Sequence, residues 1–184
     1  MKNLPVLILC GCIVACFATW AIGQSASRET PTGQVERSPA QTAYLKRAAG
    51  FSALRGAGAV VTLSDRSSTD SADVVHDYDL LLVVHQLMAA RAEAIAVNGV
   101  RLGSHTAIRV AGPTIMLGDN RLQPPFRIEA IGDGEWFAKI MRTSGLEKAF
   151  SESGPKMSIA LANDVRVPAL EEAPGFRFAR PDNG

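Results

Sequence analysis

Beyond Cys16 the chain contains no cysteine, its only three being Cys10, Cys12 and Cys16. No disulfide framework and no thiolate metal site can be built in the rest of it. The compartment stays open on that ground, since an exported domain need not carry disulfides. There is no run of one charge sign either. With 19 basic and 18 acidic side chains the formal net charge is +1. A neutral, mixed surface argues against nucleic acid as a partner, which needs a concentrated positive footprint. Aromatic residues are few, with two Trp and two Tyr, which weighs against a glycan site built on exposed rings.

Catalytic signatures are also missing. There is no G-x-S-x-G elbow, and Gly56-Ala57-Gly58 lacks the third glycine of a dinucleotide fingerprint. His76, His85 and His105 offer no i, i+4 pair for a helical zinc site. Asp77 and Asp79 beside His76 have a capping reason to be there. Ser64-Asp65 and Ser104-His105 are adjacent in sequence, but adjacency does not make a dyad. The expectation is a protein that is not an enzyme and needs no cofactor or metal.

What the chain does have is one long apolar run. Leu4 to Gly23, LPVLILCGCIVACFATWAIG, carries no charge. At about 1.5 Å per residue it covers about 30 Å, the hydrocarbon thickness of a bilayer. Lys2 in front of it favours a cytoplasmic N-terminus and an exported remainder. Two alternatives compete with a retained anchor over residues 1–23. One is a cleavable signal peptide. The other is a lipoprotein signal, because Ile13-Val14-Ala15-Cys16 reads like a lipobox that would lipidate Cys16. The apolar run continues past Cys16 through Phe17, Trp20 and Ile22, as a spanning helix requires.

Residues 24–42 are rich in Ser, Thr, Gly, Pro and Gln and read as a flexible tether. The folded domain is expected over 43–170, and a loose polar tail over 171–184. Ala43–Arg55 has helical spacing. Ala59-Val60-Val61-Thr62-Leu63 reads as a buried strand. Asp77 is a plausible N-cap for a helix over Tyr78–Ala92 that is apolar on most sides. Ala94–Val97 is the next strand, and a strand, helix, strand series implies a parallel pair with a right-handed crossover. Asn98-Gly99 is the strongest short hairpin signal in the chain. Ala107–Ala111 and Thr114–Leu117 are strands broken by Gly112-Pro113, with a turn at Gly118-Asp119-Asn120. Phe126–Ile131 is a strand, Trp136, Phe137, Ile140 and Met141 have helical spacing, and Met157–Val167 closes the domain. The order β-α-β, hairpin strands, β-α-β is that of a two-layer α/β (α+β) sandwich, ferredoxin-like with inserted hairpin strands, preceded by one transmembrane helix.

The stretch from Ala92 to Ile115 concentrates polar side chains, and Asn98, Arg101, Ser104, Arg109 and Thr114 are the candidate binding residues. Arg109 faces away from Ile108 and Val110 along its strand. Together with Arg101 and Arg127 it is expected to line the sheet face opposite the helices and offer bidentate bonds to an acidic partner. The competing reading is that each arginine pairs with a nearby acid such as Glu129 and keeps the sheet surface soluble.

Three runs carry a family resemblance: Arg55–Asp65 (RGAGAVVTLSD), Asp77–Leu102 (DYDLLLVVHQLMAARAEAIAVNGVRL) and Ser104–Asp133 (SHTAIRVAGPTIMLGDNRLQPPFRIEAIGD), with Val165–Ala169 (VRVPA) as the close. On these the chain from Phe51 to Ala169 resembles the bacterial YlxW/YlxX-like family, domain of unknown function 881. The resemblance implies a single-pass membrane protein with its domain on the extracytoplasmic side, associated with the cell envelope or division. It carries over no catalytic residue. The coiled coil usual in that family is replaced here by the Ser/Thr/Pro tether, which leaves homo-oligomer formation open. The expected function is an anchored protein-interaction module with another envelope protein as partner. The alternative is a small-ligand or cell-wall glycan-binding domain, and the third an uncharacterised enzyme.

Overall fold

The structure, a computed structural model, describes residues 38–66, 74–152, 154–171, 178 and 180. The anchor expected over 1–23, most of the tether and most of the tail lie outside the described residues. Among the described residues no helix is long and apolar enough to cross a membrane.

The first element, α1, spans Pro39–Ala48, four residues earlier than the expected start. Its N-terminus is set by a reciprocal box: the Ser38 hydroxyl accepts from Gln41 N, and the Gln41 side chain accepts from Ser38 N at 3.0 Å. Pro39 fits the first helical position because its missing N–H has no intrahelical partner anyway. No residue of α1 is buried.

Strand β1 (Leu54–Ser64) follows, then α2 (Asp77–Ala89) and β2 (Ala94–Val97). Helix α2 starts one residue earlier than expected, with His76 as cap. The Asp79 carboxylate accepts from His76 N at 2.8 Å. It also stops earlier, since Arg91 takes a left-handed backbone (φ +63°). Asn98 and Gly99 then adopt φ +49° and +78°, the pair of positive values a two-residue type I′ hairpin needs. This turn leads into β3, which holds only Val100–Arg101.

Strands β4 (Ile108–Ala111), β5 (Thr114–Leu117) and β6 (Asn120–Leu122) form a separate antiparallel sheet in the order β4-β5-β6. Strand β7 (Phe126–Ile131), helices α3 (Gly134–Thr143) and α4 (Leu146–Glu152), and β8 (Lys156–Val167) complete the chain. Asp133 caps α3 by accepting from Trp136 N at 3.0 Å. Residue 120, expected within a turn, instead opens β6.

The main sheet runs β3-β2-β7-β1-β8, and among the described residues every pairing in it is antiparallel. The expected crossover therefore takes a different form. β1 and β2 are parallel to each other but not neighbours, because β7 lies between them, antiparallel to both. In the same way β1 lies between β7 and β8. The architecture is mixed α/β with two antiparallel sheets.

Alternation sorts the strand residues. Ala59, Val61 and Leu63 of β1 join Ile128 and Ala130 of β7 against Leu80, Val83, Leu87, Phe137 and Met141 of the helices. Ile115, Leu117 and Leu122 of the smaller sheet enter the same core. On the other face of the main sheet Val60, Ala94, Ala96, Ile131, Val165 and Val167 form a second apolar cluster. One strand serves both cores. The β1–β8 register shifts between Gly56 and Gly58, where Asn163 and Asp164 together face one residue. This bulge moves Val165 and Val167 to the face opposite Met157 and Ile159. Two glycines allow close backbone approach nearby. A Cβ on Gly58 would overlap the Ala130 carbonyl oxygen, and one on Gly134 the Gly58 carbonyl oxygen.

Candidate functional site

The five candidate residues do not converge. Asn98 is a structural clamp. Its side-chain amide donates to Gln123 O at 2.8 Å and its carbonyl accepts from Arg127 N at 2.7 Å. It thereby ties the β2–β3 turn to the start of β7. Arg109 and Thr114 belong to the smaller sheet. Arg109 stands opposite Met116, which stands opposite Arg121, so these three share that sheet's outer face. The Arg109 Nη2 donates to Gly118 O at 3.3 Å and lies 3.9 Å from Asp119. Thr114 closes the Gly112-Pro113 turn opposite Ala111.

The shared arginine face is thus corrected. Arg109 is in a different sheet from Arg101 and Arg127, which do share the main-sheet face opposite the helices, since Arg101 and Glu129 both stand opposite Ala96. Arg127 is paired at 3.0 Å with Glu129, as the competing reading has it: both residues sit two apart on one strand face. Arg101 is 6% exposed. It stands opposite Ala96 across the β2–β3 hairpin, and its Nη1 donates to Ser52 O (3.3 Å) and Pro168 O (3.1 Å). Those two carbonyls flank β1 and β8, so Arg101 knits the two ends of the domain to the sheet edge. Burial pushes its guanidinium down from the ordinary value.

Two of the five residues do meet, in a cleft of about 450 Å³ along the β3 edge. Leu81, Val84, His85 and Met88 of α2 form one wall. Ser104 and Thr106 of the β3–β4 connection and Ile108 of β4 form the other, the last turn of α1 closes one end, and Arg101 lies at the base. Met88 is 60% exposed. Thr106 fixes the connection by accepting from Gly103 N at 3.0 Å. The Ser104 hydroxyl lies 2.9 Å from His105 Nδ1. Leu81, His85 and Met88 were not among the sequence candidates. Their signal is the excess of apolar residues around α2: a helix with more apolar faces than one sheet can cover must leave one of them at the surface.

A second cleft, of about 380 Å³, meets the first at Arg101 and Thr106. It is bounded by Gly118–Asn120 and by Pro168–Glu171. Its charged groups are Arg101, Asp119 and Glu171, against Arg101 and Glu93 in the first cleft.

Residues 41–180 match the family described as bacterial protein of unknown function (DUF881). The chain belongs to that family. A UPF0749 protein of Mycobacterium tuberculosis (strain ATCC 25618 / H37Rv) is 29% identical over 161 residues, covering 85% of this chain and 53% of that protein. The UPF0749 protein YlxW of Bacillus subtilis (strain 168) is 31% identical over 97 residues, covering 50% of this chain and 42% of that protein. The chain therefore spans about half the length of the curated relatives it matches. The crystal structure of an uncharacterized conserved protein from Mycobacterium tuberculosis superposes with a TM-score of 0.62 at 28% identity, over 76% of this chain and 98% of that one.

Proposed function

We propose that the chain is a non-catalytic protein-interaction module, held at the extracytoplasmic face of the membrane by its N-terminal apolar segment. In this reading it receives a segment of another envelope or division protein in the cleft between α2 and the β3–β4 connection. The observation that carries it is the cleft itself. Exposed Met88 and half-buried Leu81 and Ile108 form an apolar wall, and His85 and Ser104 add polar groups beside it. Apolar surface rimmed by polar groups is the usual composition of an interaction site. The small-ligand alternative has one observation in its favour, a volume within the range of about 300–1,000 Å³ typical of small-molecule sites.

In-cell photo-crosslinking from position 88, with position 109 on the outer face of the smaller sheet as control, separates the two. Discrete protein adducts at 88 alone are expected. Their absence in a folded, exported protein overturns the interaction reading and favours the small ligand. Topology has its own test, because the domain has no cysteine. With Ala160→Cys, whose site is exposed, a membrane-impermeant maleimide should label intact cells. Labelling only after lysis would place the domain on the other side.

A further inference from the structure

A buried charge is normally neutralised by a partner, because removing it from water is costly. Arg101 departs from this rule. No carboxylate lies within 4.0 Å of it among the described residues, and its protein acceptors are the two carbonyls on Nη1. A guanidinium has five N–H groups, and Nη1 carries two of them. The other three, on Nε and Nη2, have no acceptor within the described residues. That edge is not sealed from solvent, since no buried side-chain nitrogen or oxygen among the described residues is left without a partner. It sits between the two clefts. Nε lies 3.8 Å from where a Cβ on Gly50 would stand, a point that the Leu170 side chain approaches to 2.9 Å, and Arg101 lines both clefts.

We infer that Arg101 is a carboxylate receptor at the base of the first cleft, which takes an apolar group ending in a carboxylate. The inference rests on that cleft being the binding surface. The free Nε–Nη2 edge presents parallel N–H donors at the spacing of two carboxylate oxygens. Leu81, Val84, Met88 and Ile108 offer the apolar wall for the group that bears it. Charge selects a monoanion over a phosphate dianion: the cleft holds one arginine and one glutamate, Glu93, so a second negative charge meets no second cation. It also selects the side of approach, since Asp119 and Glu171 in the second cleft repel an anion entering from there. Two sources supply this chemistry, the C-terminus of a polypeptide ending in an apolar residue and a free small carboxylic acid.

The test is an NMR titration of the full chain in detergent micelles, reading the Arg101 Nε–H resonance. The probes are N-acetyl-leucine, N-acetyl-leucinamide, inorganic phosphate, and a leucine-terminated hexapeptide with a free or an amidated C-terminus. The free acids should move the resonance saturably, and the amides and phosphate should not. A hexapeptide binding at least about tenfold more tightly than N-acetyl-leucine assigns the site to polypeptide C-termini, and equal affinity assigns it to free acids. Arg101→Lys keeps the charge and loses the fork, and should weaken the acids by about tenfold or more. Met88→Glu, at an exposed position on the wall, should abolish the response even where Arg101 variants fold poorly. Equal shifts with acid and amide, a shift with phosphate in place of the acids, no response at millimolar acid, or an undiminished response in Met88→Glu would each overturn the inference. Protein adducts at position 88 without a carboxylate response sink this inference and leave the interaction reading standing.

Discussion

Asn98 provides the sharpest test of how the β2–β3 edge is held. The residue has a left-handed backbone, φ +49°. Its side chain makes two bonds, one donated to Gln123 O and one accepted from Arg127 N. Each is worth about 1 kcal/mol net. A left-handed backbone costs an alanine about 1 kcal/mol more than it costs asparagine. Asn98→Ala should therefore destabilise the domain by about 3 kcal/mol, two bonds and the strain. Asn98→Gly loses the bonds but not the conformation, and should cost about 2 kcal/mol. Asn98→Asp keeps the acceptor for Arg127 N and loses only the donor, so it should cost about 1 kcal/mol. Urea unfolding of the full chain in a mild detergent, followed by far-UV circular dichroism, gives the three values. The ranking Ala, Gly, Asp is the content of the prediction. Ala and Gly variants both within about 0.5 kcal/mol of wild type would show that the clamp carries no load, below even one ordinary hydrogen bond. An Asp variant as damaged as the Ala variant would show that the Gln123 bond, not the pair, holds the turn.

Other perturbations follow from the core and the surface. Gly58→Ala should cost about 3 kcal/mol or more in the same unfolding assay, since its Cβ overlaps the Ala130 carbonyl oxygen and the β1–β7 ladder must open; a loss below about 1 kcal/mol would contradict that crowding. Phe137→Ala should cost about 3–5 kcal/mol, its side chain being fully buried, whereas exposed Trp136→Ala should stay below about 1 kcal/mol; comparable losses would invert the assigned face of α3. The side chain of Arg55 hydrogen-bonds Asp164, with Nη2 2.7 Å from Oδ2, and this bond with the charge of Arg55 holds the Asp164 carboxyl below its ordinary value. A depressed folded-state value contributes stability above the unfolded-state value, lost as pH falls through the folded one. Asp164 should accordingly titrate at lower pH in wild type than in Arg55→Gln when its carboxyl carbon is followed by NMR, and identical midpoints would remove the pair from the acid limb.

Much of the fold is legible because local chemistry and tertiary context agree. Asn98-Gly99, the β-branched run Ala59–Leu63, and the spacing of Phe137 and Met141 each predict the element found. The parts that are not legible depend on which strand meets which. Nothing near Arg101 announces that β3 will be two residues long and flanked by the Ser52 and Pro168 carbonyls, so an arginine in a strand-like run reads as a surface charge. Arg109 has the same local pattern and is exposed. The difference is the sheet each joins, set by contacts distant in sequence. Strand β8 misleads differently. Met157, Ile159, Leu161, Val165 and Val167 keep an odd-numbered alternation interrupted by Asn163, which reads as one face, and only the bulge opposite β1 sends the last two to the other core. The cleft is half legible: Arg101 and Ser104 stand out among the polar residues of their stretch, but the α2 wall reads as core because helix-period apolarity does not say which face lacks a cover.

The pairing of Leu54 with Val167, and the bond from Leu170 N to Gly50 O at 2.9 Å, bring the two ends of the stretch 50–170, which α1 precedes, to one point. In modular terms, a host protein could carry the whole unit as a single loop insertion without stretching its own backbone. The same closure makes the ends interchangeable with any tight hairpin. A permutant joined across that point and opened at Gly112-Pro113, where a Cβ would meet nothing within 4 Å of Gly112, should keep the parent's circular dichroism spectrum, and loss of that spectrum would mean that the β4–β5 turn is needed for the sheet to form. The order in which this chain is threaded is thus separable from the shape it takes.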